Sequence, residues 1–176
     1  MKVKIVEIKA VLRDLDKIKL ELAKQNAVLK GIDRQVDTYF QLAEGKGRLK
    51  LREGEIENNL IHYNRPNQAE SKLSEVTLYK PNEAETLKQV LENALGTKVV
   101  VDKKREIHFI RNIKIHIDKV KQLGEFVEIE AIDEKNEFTE FELREQCEQL
   151  MVDFGIEKKD LCKVSYSDML LSISAR

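Results

Sequence analysis

The sequence predicts an α+β fold in which about eight antiparallel strands close into a barrel flanked by helices, the size at which a barrel can hold one small ligand. Three observations carry this. Segments with period-two alternation follow one another across short turns, which favours an antiparallel sheet closing on itself. Amphipathic helical stripes separate them in only a few places. Several strands also carry charges two residues apart: Glu7 with Lys9, Arg48 with Lys50 and Arg52, Lys103 with Arg105, and Glu128 with Glu130. Side chains two apart on a strand point to one face. Because unpaired buried charge is very costly, the economical arrangement is a polar lumen. There an anion meets the basic groups and a divalent cation meets the carboxylates.

At 176 residues the chain reads as one domain, 1–176, long enough for a real core. Charged residues make up 36% and aromatic residues 6%, yet the net charge is only -1, so no long nucleic-acid footprint is expected. Any affinity for phosphate must come from Lys and Arg gathered on one face. Cys147 and Cys162 have no motif spacing and read as reduced thiols, which fits a cytoplasmic protein. No apolar run approaches the length of a bilayer span, so no membrane partner is expected.

The elements follow in order. Lys2 to Leu12 alternates as a first strand, with Val3, Ile5, Glu7, Lys9 and Val11 on one face and Val6, Ile8, Ala10 and Leu12 on the apolar other. Asp14 is placed to cap a helix through about Asn26, with Leu15, Ile18 and Leu22 at core spacing. Strands are predicted over Gln35–Gln41, Arg48–Glu53, Leu60–Arg65 and Val76–Lys80, with polar residues from Pro66 to Glu75 in a loop. Asn82 with Glu85 predicts a capping box for a second helix, whose buried stripe would be Leu87, Val90, Leu91 and Leu95. Further strand segments run over Lys98–Arg105, His108–Arg111, Ile113–Val120 and Glu125–Ile132. On Ile113–Val120 the polar Lys114, His116 and Asp118 share a face. Thr139 with Glu142 forms a capping box for a third helix, with Leu143, Cys147, Leu150, Met151 and Phe154 as its core stripe. The tail around Ser165-Tyr166-Ser167-Asp168 is expected to pack back on the barrel.

Laid end to end, these segments resemble the CYTH domain family, the triphosphate tunnel metalloenzymes. Glu7-Ile8-Lys9 resembles the amino-terminal ExExK signature, and Gly47–Arg52 (GRLKLR) the second signature. Tyr63-Asn64-Arg65 is similar to the third, and Val101–Arg105 to V-x-K-x-R. Ile115–Asp118 with Leu123–Glu130 resembles the I-x-L-D…LG-x-F-x-E-I-E block, and Ser165–Asp168 the closing S-Y-x-D. The details around Tyr63-Asn64-Arg65-Pro66 look most like the class IV adenylate cyclase-like subgroup.

The resemblance implies an eight-stranded tunnel that binds a small triphosphate such as ATP, thiamine triphosphate or tripolyphosphate. Lys9, Lys50, Arg52, Arg65, Lys103 and Arg105 would grip phosphate oxygens, while Glu7, Asp118, Glu128 and Glu130 would hold Mg2+ or Mn2+. Lys9 and Arg65 are the cations expected to act in catalysis. His116 is a candidate base or ligand, with a structural hydrogen-bonding role as the alternative. The implied reaction is either ATP cyclisation to cyclic AMP and pyrophosphate or hydrolysis of a triphosphate. Ile5 stands where the full signature has its first glutamate, which leaves a non-catalytic polyphosphate- or nucleotide-binding module as the alternative. Arg48 lies beside a turn and is left out of the set, and a homodimer is left open.

Overall fold

The structure is a computed structural model and describes residues 2–64 and 72–175, with the backbone alone for Lys2 and Lys72. Its strands are β1 (Lys2–Val11), β2 (Val28–Phe40), β3 (Arg48–Glu53), β4 (Asn59–Asn64), β5 (Lys72–Tyr79), β6 (Thr97–Ile110), β7 (Ile113–Val120) and β8 (Gly124–Asp133). They form a closed barrel in the order β1-β5-β4-β3-β2-β6-β7-β8, and every neighbouring pair is antiparallel. Closure leaves no edge strand to be protected. Among the described residues the helices are α1 (Leu15–Lys24), α2 (Ala84–Leu95), α3 (Glu140–Asp153) and α4 (Tyr166–Ser174), with a 3-10 turn at Lys158–Asp160. None of these helices is long and apolar enough to cross a membrane.

The alternation of β1 decides which side of the sheet is covered. Val6, Ile8 and Ala10 point outward into the main core, which also holds Ile18 and Leu22 of α1, Leu143, Cys147 and Leu150 of α3, and Phe154 just after α3. Val3, Ile5, Glu7 and Lys9 point inward and line the barrel's cavity. The outer apolar face and the inner polar face of one strand are therefore the same fact seen from two sides. Both helices begin as the sequence predicts: Asp14 accepts from the Lys17 N–H, and Thr139 with Glu142 forms a reciprocal capping box.

Five local expectations change. β5 begins at Lys72, so Lys72–Glu75, predicted as the end of a polar loop before a strand at Val76, is strand paired with β1. β2 starts at Val28, well before Gln35, because a bulge between Leu29 and Gly31 breaks its alternation. The two segments predicted on either side of Glu106-Ile107 are one strand, β6. α2 is capped at Glu83 without a side-chain hydrogen bond, in place of the predicted capping box from Asn82. It also buries no residue fully: Leu87, Leu91 and Leu95 are half-buried and Val90 is 57% exposed, since this helix touches the barrel only sparsely, at β2 and β3. The tail does pack back, as a fourth helix whose own capping box joins Ser165 and Asp168. Arg48 donates to the Asp168 carboxylate at 2.7 Å and ties that helix to β3.

Candidate active site

Inward-facing residues of all eight strands line one cavity of about 280 Å3. Its walls bring together Glu7, Lys9, Lys50, Arg52, Lys103, Arg105, Glu128 and Glu130, eight of the residues singled out by sequence. Arg65 lies outside the described residues. Asp118 and His116 sit one layer behind the wall, at 1% and 0% exposure.

The basic side is organised by a residue that sequence reasoning did not select. Asp37 of β2 accepts from Lys50 Nζ at 2.8 Å, from Arg52 Nε at 2.8 Å and Nη2 at 3.0 Å, and from Lys103 Nζ at 2.8 Å. These contacts follow from topology: Arg52 is the cross-strand partner of Asp37, Lys50 that of Tyr39, and Lys103 that of Gln35. Burial works against the Asp37 carboxylate, but Arg52, Lys103 and Lys50 hold it well below the usual carboxylate range. For Lys103 the balance goes the other way. Burial, reinforced by Arg52 and Arg105, pushes it down to about 7 against the pull of Asp37.

A second unselected acid, Glu57, comes from the β3–β4 loop. It accepts from Arg52 Nη1 at 2.7 Å and from Gln35 Nε2 at 3.0 Å, and it pairs with Lys114. Despite burial, Arg52 and Lys114 keep its pKa far below normal. Asp33, itself buried, holds this loop in place by accepting from the backbone N–H groups of Glu55 at 2.9 Å, Ile56 at 3.3 Å and Glu57 at 3.1 Å. A Cβ at position 54 would stand 2.6 Å from Asp33 Oδ2, so a larger residue there would have to displace this carboxylate.

The acidic side is built on β1, β7 and β8. In the ladder Glu7 pairs with Glu130 and Lys9 with Glu128, which sets two carboxylates and an ion pair side by side. Lys9 Nζ lies 3.0 Å from Glu128 Oε1 and 3.9 Å from the centroid of the Tyr166 ring. Arg105 donates to Asp118 Oδ1 at 2.7 Å and Oδ2 at 2.5 Å, and to Glu128 Oε2 at 2.6 Å. Tyr166 donates its hydroxyl to Asp118 Oδ2 at 2.8 Å. Asp118 is thus engaged by Arg105 and Tyr166 and acts as the counter-ion beneath Arg105. Burial opposes ionisation of Glu128, yet Lys9 and Arg105 hold it well below the normal range.

His116 Nδ1 stands 3.3 Å from Glu128 Oε2 and 3.6 Å from Glu130 Oε1, so three ligand atoms gather within 4.8 Å of one another. Burial and then Arg105 lower the His116 pKa, which leaves the ring neutral. Its Nε2 is buried without a hydrogen-bond partner among the described residues. Carboxylate oxygens with a neutral imidazole beside them form a donor set that accepts a divalent cation. Glu7 borders the same cavity and adds a further carboxylate.

A closed antiparallel barrel with cations and carboxylates on its inner wall defines a small-ligand tunnel of the anion-binding kind. The family model of the CYTH domain matches residues 4–166, and the chain belongs to that family. No curated protein sequence is significantly similar to the chain. Solved structures share its fold at low identity. The PH1012 protein of Pyrococcus horikoshii OT3 superposes with a TM-score of 0.78 at 20% identity, covering 93% of this chain and 98% of that one. An adenylate cyclase candidate from Vibrio parahaemolyticus gives 0.73 at 18% identity, covering 95% and 97%. HpAC1 of Hippeastrum, described as an adenylyl cyclase candidate with a dominant triphosphatase activity, gives 0.60 at 14% identity, covering 100% and 97%.

Proposed function

We propose that this protein is a metal-dependent enzyme that binds a small triphosphate in its barrel and breaks a phosphoanhydride bond. The observation that carries the reading is the convergence of Lys9, Lys50, Arg52, Lys103 and Arg105 on one cavity that also holds Glu7, Glu128 and Glu130. A triphosphate is strongly anionic, and attack on it brings another electron-rich oxygen into its field. Lysine and arginine on a water-poor wall cancel that repulsion and stabilise charge developing on the leaving phosphate.

The chain's own residues divide the work. An ammonium has three N–H donors; Asp37 takes one from Lys50 and one from Lys103, which leaves the others for phosphate oxygens. Arg52 is held in a fixed plane by its two hydrogen bonds to Asp37, and Arg105 by Asp118 and Glu128, so neither must turn when the anion arrives. Lys9, fixed between Glu128 and the Tyr166 ring, joins the acidic side to the basic one. Glu7, Glu128 and Glu130 would hold Mg2+ or Mn2+, which would supply Lewis-acid stabilisation of phosphate charge. If water attacks, the protein is a triphosphatase. If a ribose 3′-hydroxyl attacks the α-phosphorus, it is an adenylate cyclase releasing pyrophosphate.

The experiment is turnover of tripolyphosphate, thiamine triphosphate and ATP with Mg2+ or Mn2+, scoring phosphate, pyrophosphate and cyclic AMP. A Glu128→Ala/Glu130→Ala double variant runs beside the native chain. Phosphate, or cyclic AMP with pyrophosphate, that disappears in the variant supports the reading. Tight binding without any product sinks the enzyme and leaves a binding module.

A further inference from the structure

The net charge of -1 hides two poles of opposite sign on the outside of the barrel. On the outer face of β2, β6 and β7, Arg34 stands opposite Lys104, and Lys104 opposite Lys119. Like charges directly opposite on neighbouring strands repel, and this row sets three of them side by side, all exposed. Asp102 reaches Arg34 at 3.3 Å and Glu125 reaches Lys119 at 3.5 Å, but Lys104 in the middle has no ion pair among the described residues. Lys121 and the 55% exposed Ile32 border the same open groove.

The acidic pole is the outward stripe of α3. Phe141, Glu145, Glu148 and Val152 follow at steps of four, three and four, which puts them on one helix face. All four are exposed, Phe141 at 67% and Val152 at 65%, and neither glutamate has an ion pair among the described residues. Glu145, Glu148 and Val152 line a groove beside Arg111 and Ile113, at the start of β7. Lys119 and Lys121 mark the other end of β7, about 23 Å away by strand rise. The two poles therefore cannot neutralise each other within one molecule.

They match in spacing as well as in sign. Residues three apart on a helix are about 5–6 Å apart, and neighbouring strands lie about 4.8 Å apart. A helix laid across the strands thus sets Glu145 and Glu148 against two adjacent cations of the row, while Phe141 and Val152 flank them as apolar contacts. We propose that the protein self-associates head to tail, with the outward face of α3 in one copy docked on the Arg34–Lys104–Lys119 row of the next. The occupant is a second copy because the chain itself carries both complementary surfaces. Such a contact is heterologous, so it builds a ring or an open chain and not a two-fold dimer. Exposed charge pairs are weak and screened by salt, so the association depends on ionic strength.

The test is sedimentation velocity of the native chain over a range of concentrations, at low and at high salt. At low salt the protein is expected to sediment faster as its concentration rises, and at high salt as a monomer. Two neutralised variants, Lys104→Gln/Lys119→Gln and Glu145→Gln/Glu148→Gln, are each expected to weaken self-association at least about tenfold. Mixed in equal amounts, they still offer the native helix face of the first to the native row of the second, and a 1:1 complex is expected. Circular dichroism matching that of the native chain establishes that both variants are folded. A native chain that stays monomeric at low salt overturns the proposal. So does association that neither variant weakens, or a mixture of the two folded variants that forms no complex.

Discussion

The ammonium of Lys103 on β6 meets the carboxylate of Asp37 on β2 at 2.8 Å inside the barrel, with both side chains almost wholly buried. Burial and the neighbouring cations push Lys103 down to about 7, and Asp37 keeps it from falling further. Only the protonated amine attracts a triphosphate. In the free protein the proton is therefore present below pH 7 and lost above it, while a bound anion raises the pKa and holds it on. Triphosphate affinity relative to a Lys103→Arg variant, whose guanidinium stays charged, should be level below pH 7. It should then fall by up to about tenfold per pH unit above it. Calorimetric titrations at pH 6, 7 and 8 check this; a constant ratio across that range would mean that Lys103 keeps its charge.

Asp37 is the shared counter-ion of three cations, and removing its charge should cost more than any one of those pairs. Asp37→Asn leaves Lys50, Arg52 and Lys103 crowded without their carboxylate. Breaking a buried ion pair from one side costs about 3–5 kcal/mol. A fall of that size in the urea unfolding free energy is expected. In whatever fraction stays folded, the loss of affinity with rising pH should move to lower pH, because the pull of Asp37 on Lys103 is gone. A stability loss under about 1 kcal/mol, the scale of exposed pairs, would show that water screens the cluster.

What was legible in the sequence, and what was not, follows from the range of each signal. The inner face of β1 could be read from Lys2 to Val11 because alternation is a property of one strand. The Thr139–Glu142 capping box could be read because its partners stand three apart. Asp37 and Glu57 could not. Asp37 has Gln35 and Tyr39 as its same-face neighbours, and its cationic partners arrive from β3 and β6, in a register that only the pairing of those strands with β2 sets. Glu57 belongs to a loop whose position depends on Asp33, a residue of the neighbouring strand β2 some twenty positions earlier. The stripe of α2 is covered only in part: Leu87, Leu91 and Leu95 are half-buried, because helical spacing does not carry how much of the sheet lies beneath the helix.

Glu57 occupies donors that a phosphate could use, namely Arg52 Nη1 and the ammonium of Lys114. Glu57→Gln keeps the size and removes the charge, so the competition for these cations weakens. Because charge-assisted hydrogen bonds are about twice as strong as neutral ones, triphosphate affinity should rise, by a few-fold to about tenfold. Calorimetry on the two proteins reads it directly. Weaker binding in the variant would instead make Glu57 the group that aims Arg52 and Lys114.

Tyr166 joins the carboxyl-terminal helix to the floor of the site. Its hydroxyl donates to Asp118 at 2.8 Å, Asp118 holds Arg105, and its ring lies 5.0 Å from that of Phe126 with Lys9 over its face. Tyr166→Phe removes the hydroxyl alone and keeps both ring contacts. A hydrogen bond to a charged group contributes about 1.5–3 kcal/mol, so unfolding in urea should report a loss in that range. Asp118 still has both Arg105 hydrogen bonds, and Arg105 keeps its orientation. Triphosphate affinity should therefore change by less than about threefold, well under the tenfold that 1.4 kcal/mol represents. If affinity collapses while stability is kept, Tyr166 is acting on the ligand and not through Asp118.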